Sequence, residues 1–381
     1  MAIKISFCIP TLNRGTFIGE TLDSIISQAT ESVEIVIVDG GSTDNTSEVV
    51  RQHQKIFPRL HYFRTDAADV KSVGATPSNI GFDQDCSRAV ELAQGEYCWL
   101  FTDDDLLKPG AISTVLNEVQ KGYSMIVVNA QVMNADFSKV LENKRILTDT
   151  NEIYSESELE PFFKRVVTYL SFVGGVVIRR DFWMQREKKR YLGTGFIHLG
   201  VIFQASLPAP ALVIAEPYIT IRLGNAQWTS RAFDIWVFKW PNLLSSFTAV
   251  SEQTLKEYRK KQSWGILKNV ITYRAMGAYS LKAYQKWFAS NDYSLWWRLV
   301  VLLIAVMPAC CVNLFMLLYF KMMRGFVALF MAVMPARVVS RLSYFNKVKK
   351  DALINIYSLE NNENYIMSIV KRKGPRQSYK K

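Results

Sequence analysis

Residues 33–46 read VEIVIVDGGSTDNT. The first six are rich in β-branched side chains and lack a polar alternation, the pattern of a strand buried on both faces of a parallel sheet. The run stops at Asp39 and passes into Gly40, Gly41, Ser42 and Asp44. Two glycines let a backbone approach a ligand closely, and a carboxylate there can accept hydrogen bonds from a base or a ribose. An ordinary βα turn, with Ser42 or Asp44 capping the next helix, explains the same residues. Outward from this stretch, 3–10 is a short apolar run, 11–15 a turn, and Phe17, Ile18, Leu22, Ile25 and Ile26 have helical spacing. Further on the pattern predicts a strand over 60–64, a helix over 83–93, a strand over 97–102, a helix over 111–121 and a strand over 125–128. Strands alternating with helices imply an α/β fold with a mostly parallel, Rossmann-like sheet, whose ligands lie beyond the carboxyl ends of the strands. Two of those ends carry acids, 39–44 and 103–105.

The chain has 381 residues, 49% hydrophobic and 21% charged, so it can bury a sizeable core and is not globally disordered. Its formal net charge of +12 is unevenly placed. Residues 321–381 hold 13 Lys and Arg against 3 acids, a net +10, which leaves only +2 for the first 320. A near-neutral body argues against a nucleic-acid partner, and a basic tail beside an apolar segment suits anionic membrane lipid. Five cysteines with no CxxC spacing exclude a disulfide framework and a zinc ribbon. Residues 1–10 show neither a charged leader nor a cleavage site, so no signal peptide is expected.

From about residue 234 the texture changes. Seven of the nine tryptophans fall between Trp228 and Trp297, interleaved with Lys and Arg. Residues 299–320 then run 22 positions without a formal charge, interrupted by Pro308 and Asn313, and 325–336 form a second, shorter apolar stretch. A single span there would put the body and the basic tail on opposite sides of a bilayer, against the positive-inside tendency. A re-entrant or interfacial hairpin fits better; a true span and a buried hairpin of a soluble protein are the alternatives. The expected organisation is a catalytic α/β domain over 1–233, amphipathic Trp- and Lys-rich helices over 234–297, an apolar membrane-associated helical hairpin over 298–345 and a basic tail over 346–381.

Thr102 is followed by Asp103, Asp104 and Asp105 at the end of an apolar strand. Three adjacent carboxylates repel one another unless a cation offsets them, and Asp103 with Asp105 have the spacing to reach a hard divalent ion. Such an ion would stabilise charge on a departing diphosphate. A solvated turn or a helix-capping cluster explains the same residues. Neither GxGxxG nor a Walker A loop is present.

The set IPTLNR (9–14), ETLDSIISQ (20–28), VEIVIVDGGSTDNT (33–46) and GEYCWLFTDDD (95–105), in this order, resembles the family 2 glycosyltransferases of GT-A fold. NIGFD (79–83), GGVVIRRDFW (174–183), GFIHLG (195–200) and RLGNAQW (222–228) are similar to the abequosyltransferase-like branch that builds bacterial O-antigen. The resemblance covers residues 3 to about 230. It implies inverting transfer of a sugar from a nucleotide diphosphate donor. Pro10, Thr11, Asn13, Arg14, Asp39, Asn79, Asp83, Asp103, Asp104 and Arg222 would bind the nucleotide sugar, and Asp103 and Asp105 would hold Mn2+ or Mg2+. The family often has two acids after the second strand, where this chain has Asp39 and then Gly40. An Arg-Asn pair common in the loop after NIGF is here Gln84-Asp85. The family's catalytic base falls about 90 residues past the metal aspartates, where the one titratable side chain is His198. An imidazole can take an acceptor proton, or sit satisfied in a half-buried helix. Asp181 follows Arg179 and Arg180 and reads as their ion-pair partner. Arg222 and Arg231 are either a clamp on the donor diphosphate or surface arginines.

The resulting expectation is a metal-dependent hexosyltransferase on the cytoplasmic face of a bacterial inner membrane. It would add one sugar, of deoxy- or dideoxyhexose type, to an undecaprenyl-diphosphate-linked glycan. Its rivals are a polyprenyl-phosphate glycosyltransferase, which needs no hydroxyl-deprotonating base, and a non-catalytic membrane scaffold.

Overall fold

The computed structural model describes residues 2–65, 81–262, 266–289 and 293–308, with 311, 312 and 314. The described residues form two compact units. The first comprises 1–225 and 239–262, the second 226–238 and the residues from 263 onward.

The first unit is a mixed α/β layer structure around one ten-stranded sheet. Its strands are β1 (Ile5–Thr11), β2 (Val33–Asp39), β3 (Leu60–Arg64), β4 (Tyr97–Leu100), β5 (Leu106–Leu107), β6 (Met125–Met133), β7 (Val140–Glu142), β8 (Glu152–Tyr154), β9 (Val176–Arg179) and β10 (Ala211–Arg222). The order along the sheet is β3-β2-β1-β4-β9-β6-β10-β5. Neighbours β1 to β4 pair in parallel, as do β6 and β10, while β9 runs antiparallel between β4 and β6. Six strands of the central seven therefore share one direction, and the expected α/β class with a mostly parallel sheet holds.

The apolar runs explain the burial. Every residue of β1, β2 and β4 is buried. Phe7 of β1 stacks on Trp99 of β4 with ring centroids 4.9 Å apart, and both meet the edge of Phe101. Helix α1 (Ile18–Ile26) inserts Ile18, Leu22 and Ile25, at helical spacing, into one face of the sheet's core. After α2 (Thr46–Ile56), helix α3 (Phe82–Leu92) packs against β1 and β2. One acid lies under this layer: Glu34 accepts from the Ser6 hydroxyl at 2.6 Å and the Gln94 amide at 2.6 Å, so its burial is compensated.

The unit boundary departs from the expected break at 233/234. Residues 239–262 return to the sheet-bearing unit, burying Trp240, Leu244 and Phe247 there. Ser251 and Thr254 donate to the Glu160 carboxylate. The second unit gathers Phe233, Val270, Tyr279, Phe288 and Val301 into its own core. Its helix Leu295–Val306 ends at Met307 and Pro308, where the proline removes a helix donor. The uncharged stretch 299–320 is thus not one continuous helix in its described part. Most of the expected hairpin 298–345 and all of the tail 346–381 lie outside the described residues. Among the described residues no helix is long and apolar enough to cross a membrane.

Candidate active site

Register brings the strand ends level: Thr11 pairs with Asp39 between β1 and β2, and the Gly40 amide donates to the Thr11 carbonyl at 2.9 Å. The two loops that follow are laced together. Asn13, in the left-handed region at φ 54°, donates its amide to Ser42 Oγ at 2.8 Å and accepts the Thr43 amide on Oδ1 at 2.7 Å. The Arg14 amide donates to Thr46 Oγ1 at 2.8 Å and the Gly15 amide to Asp44 Oδ2 at 3.0 Å. A Cβ at Gly15 would lie 2.0 Å from Asn45 Oδ1, so the close approach needs glycine.

Asp39 organises the second loop. Its Oδ1 accepts from the Gly41 amide (3.0 Å), the Ser42 amide (2.7 Å) and the Ser42 hydroxyl (2.7 Å), and its Oδ2 from the Tyr62 hydroxyl. That hydrogen bond, after burial, pushes the Tyr62 phenol well above its ordinary range.

The third strand end carries the acid triplet, and its members divide. Asp105 turns inward: Oδ2 accepts from Thr102 Oγ1 at 2.5 Å, Oδ1 from the Arg222 amide at 2.8 Å. The Thr21 hydroxyl donates to its carbonyl at 2.9 Å. Asp103 and Asp104 instead share one guanidinium, with Arg14 Nε 3.2 Å from Asp103 Oδ1 and Nη2 3.0 Å from Asp104 Oδ2. Asn225 donates to the same Asp104 oxygen at 2.8 Å. Burial, then the neighbouring Asp104, pushes the Asp103 carboxyl up to about 7, with Arg14 acting against them. Burial raises Asp104 against the pull of Arg14 and Arg222, and burial with Asp104 raises Asp105 well above the carboxylate range. Burial and mutual repulsion thus disfavour charge on all three acids, and the Arg14 guanidinium offsets this for Asp103 and Asp104.

The residues present fit a divalent cation in a specific way. Asp103 and Asp104 already direct carboxylate oxygens at one positive group, and hard ions take such ligands. Among the described residues no group of three His, Cys, Asp or Glu side chains is placed to hold a metal, so an ion here would complete its shell from phosphate oxygens or water. Of the expected pair, Asp103 presents its carboxylate to Arg14, which it shares with Asp104, while both Asp105 oxygens accept hydrogen bonds that brace the loop.

Other expected residues have other partners. His198 is 1% exposed; its Nε2 lies 2.7 Å from the Leu170 carbonyl and so carries the proton, and burial pushes the imidazole down to about 4. A buried ring with Nε2 engaged by a carbonyl and Nδ1 without a partner has the surroundings of a core histidine. Asp83 accepts the Gly195 amide (2.7 Å) and the Ile197 amide (3.0 Å), capping the helix Ile197–Phe203 from a distance instead of facing a donor. Arg222 is not a mobile clamp: its guanidinium donates to Glu20 and to the carbonyls of Asp104 (3.1 Å) and Ala135 (2.8 Å), and lies over the Phe137 ring at 4.0 Å. Pro10 and Thr11 are buried at the end of β1, and Arg231 is exposed on the second unit. Asn79 lies outside the described residues. Asp181 pairs bidentately with Arg179 at 2.6 and 2.9 Å, whereas Arg180 bonds the carbonyls of Val90 and Glu91.

Sequence reasoning missed Glu20, Tyr62, Asn225 and Asp85. Glu20 and Asn225 sit inside quoted motifs, but nothing local marks their partners. Asp85 is nearly buried on α3, and burial followed by the field of Asp39 pushes it up to about 7.

Residues 6–184 match the family model described as Glycosyl transferase family 2. The chain is 24% identical over 239 residues to the abequosyltransferase RfbV of Salmonella typhimurium, covering 60% of this chain and 69% of that one. It is 30% identical over 148 residues to the GalNAc(5)-diNAcBac-PP-undecaprenol beta-1,3-glucosyltransferase of Campylobacter jejuni, covering 39% of this chain and 45% of that protein. Among solved structures, S. aureus TarS 1-349 in complex with UDP superposes with a TM-score of 0.49 at 13% identity, over 72% of this chain and 81% of that one. Over residues 6–184 the chain is thus similar to glycosyl transferase family 2, and the match ends before β10.

Proposed function

We propose that this chain is a nucleotide-sugar-dependent, inverting glycosyltransferase whose acceptor is a lipid-linked glycan at the cytoplasmic face of a bacterial inner membrane. One observation carries the reading: at the carboxyl end of β4, beside the laced loops of β1 and β2, Asp103 and Asp104 share the single guanidinium of Arg14. In the reaction the acceptor hydroxyl oxygen attacks the anomeric carbon and gives its proton to solvent water, the bond to the diphosphate breaks, and the nucleoside diphosphate leaves with the electron pair. Mn2+ or Mg2+ bound at Asp103 and Asp104 would offset the charge that develops on that diphosphate. Arg14, released from the carboxylates, would turn its guanidinium to phosphate oxygens. The Asp39 loop holds the backbone that meets the nucleoside, and Asp105 with Arg222 keeps the metal-side loop in place. Similarity to an abequosyltransferase and to a glucosyltransferase acting on an undecaprenol-linked glycan supports a sugar donor and a lipid-linked acceptor.

A second reading, transfer to a polyprenyl phosphate, is favoured by one observation: His198 is buried with its Nε2 bonded to the Leu170 carbonyl, and a phosphate acceptor needs no base. Radiolabelled transfer to a polyprenyl phosphate, but not to a lipid-linked glycan, would select it.

The test of the main reading is thermal stabilisation by UDP, GDP, CDP and dTDP, each with and without Mn2+. A ligand at about 100 times its Kd stabilises by about 2.7 kcal/mol. One nucleotide should raise Tm, most strongly with metal. No shift with any of them would return the protein to a non-catalytic scaffold.

A further inference from the structure

We infer that one face of the helix Leu295–Val306 in the second unit is a docking surface for an anionic lipid bilayer, with Trp296, Leu299, Leu303 and Val306 as the inserting residues. This deepens the membrane location proposed above and rests on it in part. Its test uses no nucleotide, so it fails or holds apart from the transferase reading.

The helix is apolar on two opposite faces. Val301 and Ala305 point into the core with Phe233, Tyr279 and Phe288, and the Tyr279 hydroxyl donates to the Val301 carbonyl at 3.1 Å. At about 100° per residue, Trp296, Leu299, Leu303 and Val306 fall on one stripe across from that buried edge. All four are exposed, Trp296 at 76% and Leu303 at 64%. Leu295, beside them, is exposed as well. The helix is held at both ends: Ser294 Oγ accepts the Trp297 amide, and Arg274 donates from Nε (2.9 Å) and Nη2 (2.7 Å) to the Met307 carbonyl. The stripe is therefore presented on a fixed element.

Charge selects the occupant. The described part of this unit carries Arg231, Lys268, Arg274, Lys282, Lys286 and Arg298 against a single acid, Asp234, which Lys286 pairs at 3.0 Å. The sequence that follows, 321–381, adds a net +10. A second copy would bring the same positive charge to the contact and be repelled. An anionic headgroup layer above acyl chains complements both the apolar stripe and the cations around it. Twelve residues make a helix of about 18 Å, short of the roughly 30 Å hydrocarbon core, so the helix would lie in the interface plane. Tryptophan at such a boundary keeps its ring among headgroups.

The experiment is co-sedimentation of the full-length protein with vesicles of phosphatidylcholine alone or mixed with phosphatidylglycerol. Wild type should bind the mixed vesicles at least about tenfold better than the neutral ones. Trp296→Glu with Leu303→Glu should lose at least about tenfold of that binding, and Trp296→Ala a smaller part. Both positions are exposed, so Tm should stay at the wild-type value, and a variant that melts like wild type is the one to score. Full vesicle binding by the double variant would overturn the proposal and assign any attachment to the basic tail. Wild-type self-association that the double variant abolishes would overturn it in favour of a second copy, and failure of wild type to bind either vesicle would overturn it outright.

Discussion

The two acid-bearing loops at the head of the sheet are built on opposite principles. The Asp39 loop is satisfied from within, its carboxylate bonded to amides two and three residues on, to Ser42 and to Tyr62. The Asp103–Asp104 pair is satisfied from outside, by a guanidinium that belongs to the loop after β1. A carboxylate bonded to its own backbone fixes a shape. A carboxylate balanced by a side-chain cation can exchange that cation for another. The first loop is therefore preorganised by its own backbone, and the second is held by a partner from another loop.

The sharpest way to break this contrast is Asp103→Asn. It removes one of two like charges while leaving the Arg14–Asp104 pair, so sugar transfer should fall on the order of 10²- to 10³-fold with Tm unchanged or higher. A large loss of Tm with transfer retained would make the two loops alike. The complementary change, Asp39→Ala, leaves buried amides without an acceptor and should cost about 3–4 kcal/mol of stability, read as a lowered denaturant midpoint.

His198 supplies a control on where protonation matters. Burial lowers its folded pKa to about 4, below the value of about 6.5 in an unfolded chain. The unfolded state thus binds the extra proton between those values. The contribution is fully present above pH 6.5 and declines as pH falls toward 4, by up to about 3 kcal/mol. His198→Asn should flatten this acid limb of the stability curve while leaving the pH dependence of transfer unmoved. Smaller still is Gly15→Ala, whose Cβ would push on the Asn45 side chain and the Thr46 amide where the first two loops are laced. A loss of about 1–2 kcal/mol is expected, measured by urea unfolding.

Much of the first half of the sheet was legible because parallel, doubly buried strands announce themselves as β-branched runs. VEIVIV became β2, and the strand expected over 60–64 has those bounds. Less was legible in the second half. β9 reverses direction between β4 and β6, a choice made by tertiary pairing and not by any local pattern in VVIR. β10 is interrupted by a register shift between Ile214 and Ile219, which blurs its period. At the site, the crowding of carboxylates at 103–105 could be read from the chain, but not that Arg14 pairs with two of them. His198 was chosen by position in the chain, and position does not report that the helix bearing it is wholly buried. Asp105 was chosen by DxD spacing, which does not reveal that Thr102 and the Arg222 amide claim its oxygens.

Calorimetric titration of Mn2+ into wild type and Asp103→Asn, with and without the nucleoside diphosphate that raises Tm, tests the exchangeable-cation site most directly. Wild type should bind the ion weakly alone, because Arg14 already occupies the carboxylates, and at least about tenfold more tightly once the diphosphate supplies further oxygen ligands. Asp103→Asn should lose that gain. Equal Mn2+ affinity in both proteins, indifferent to the nucleotide, would contradict the assignment of Asp103 and Asp104 as the cation-holding pair.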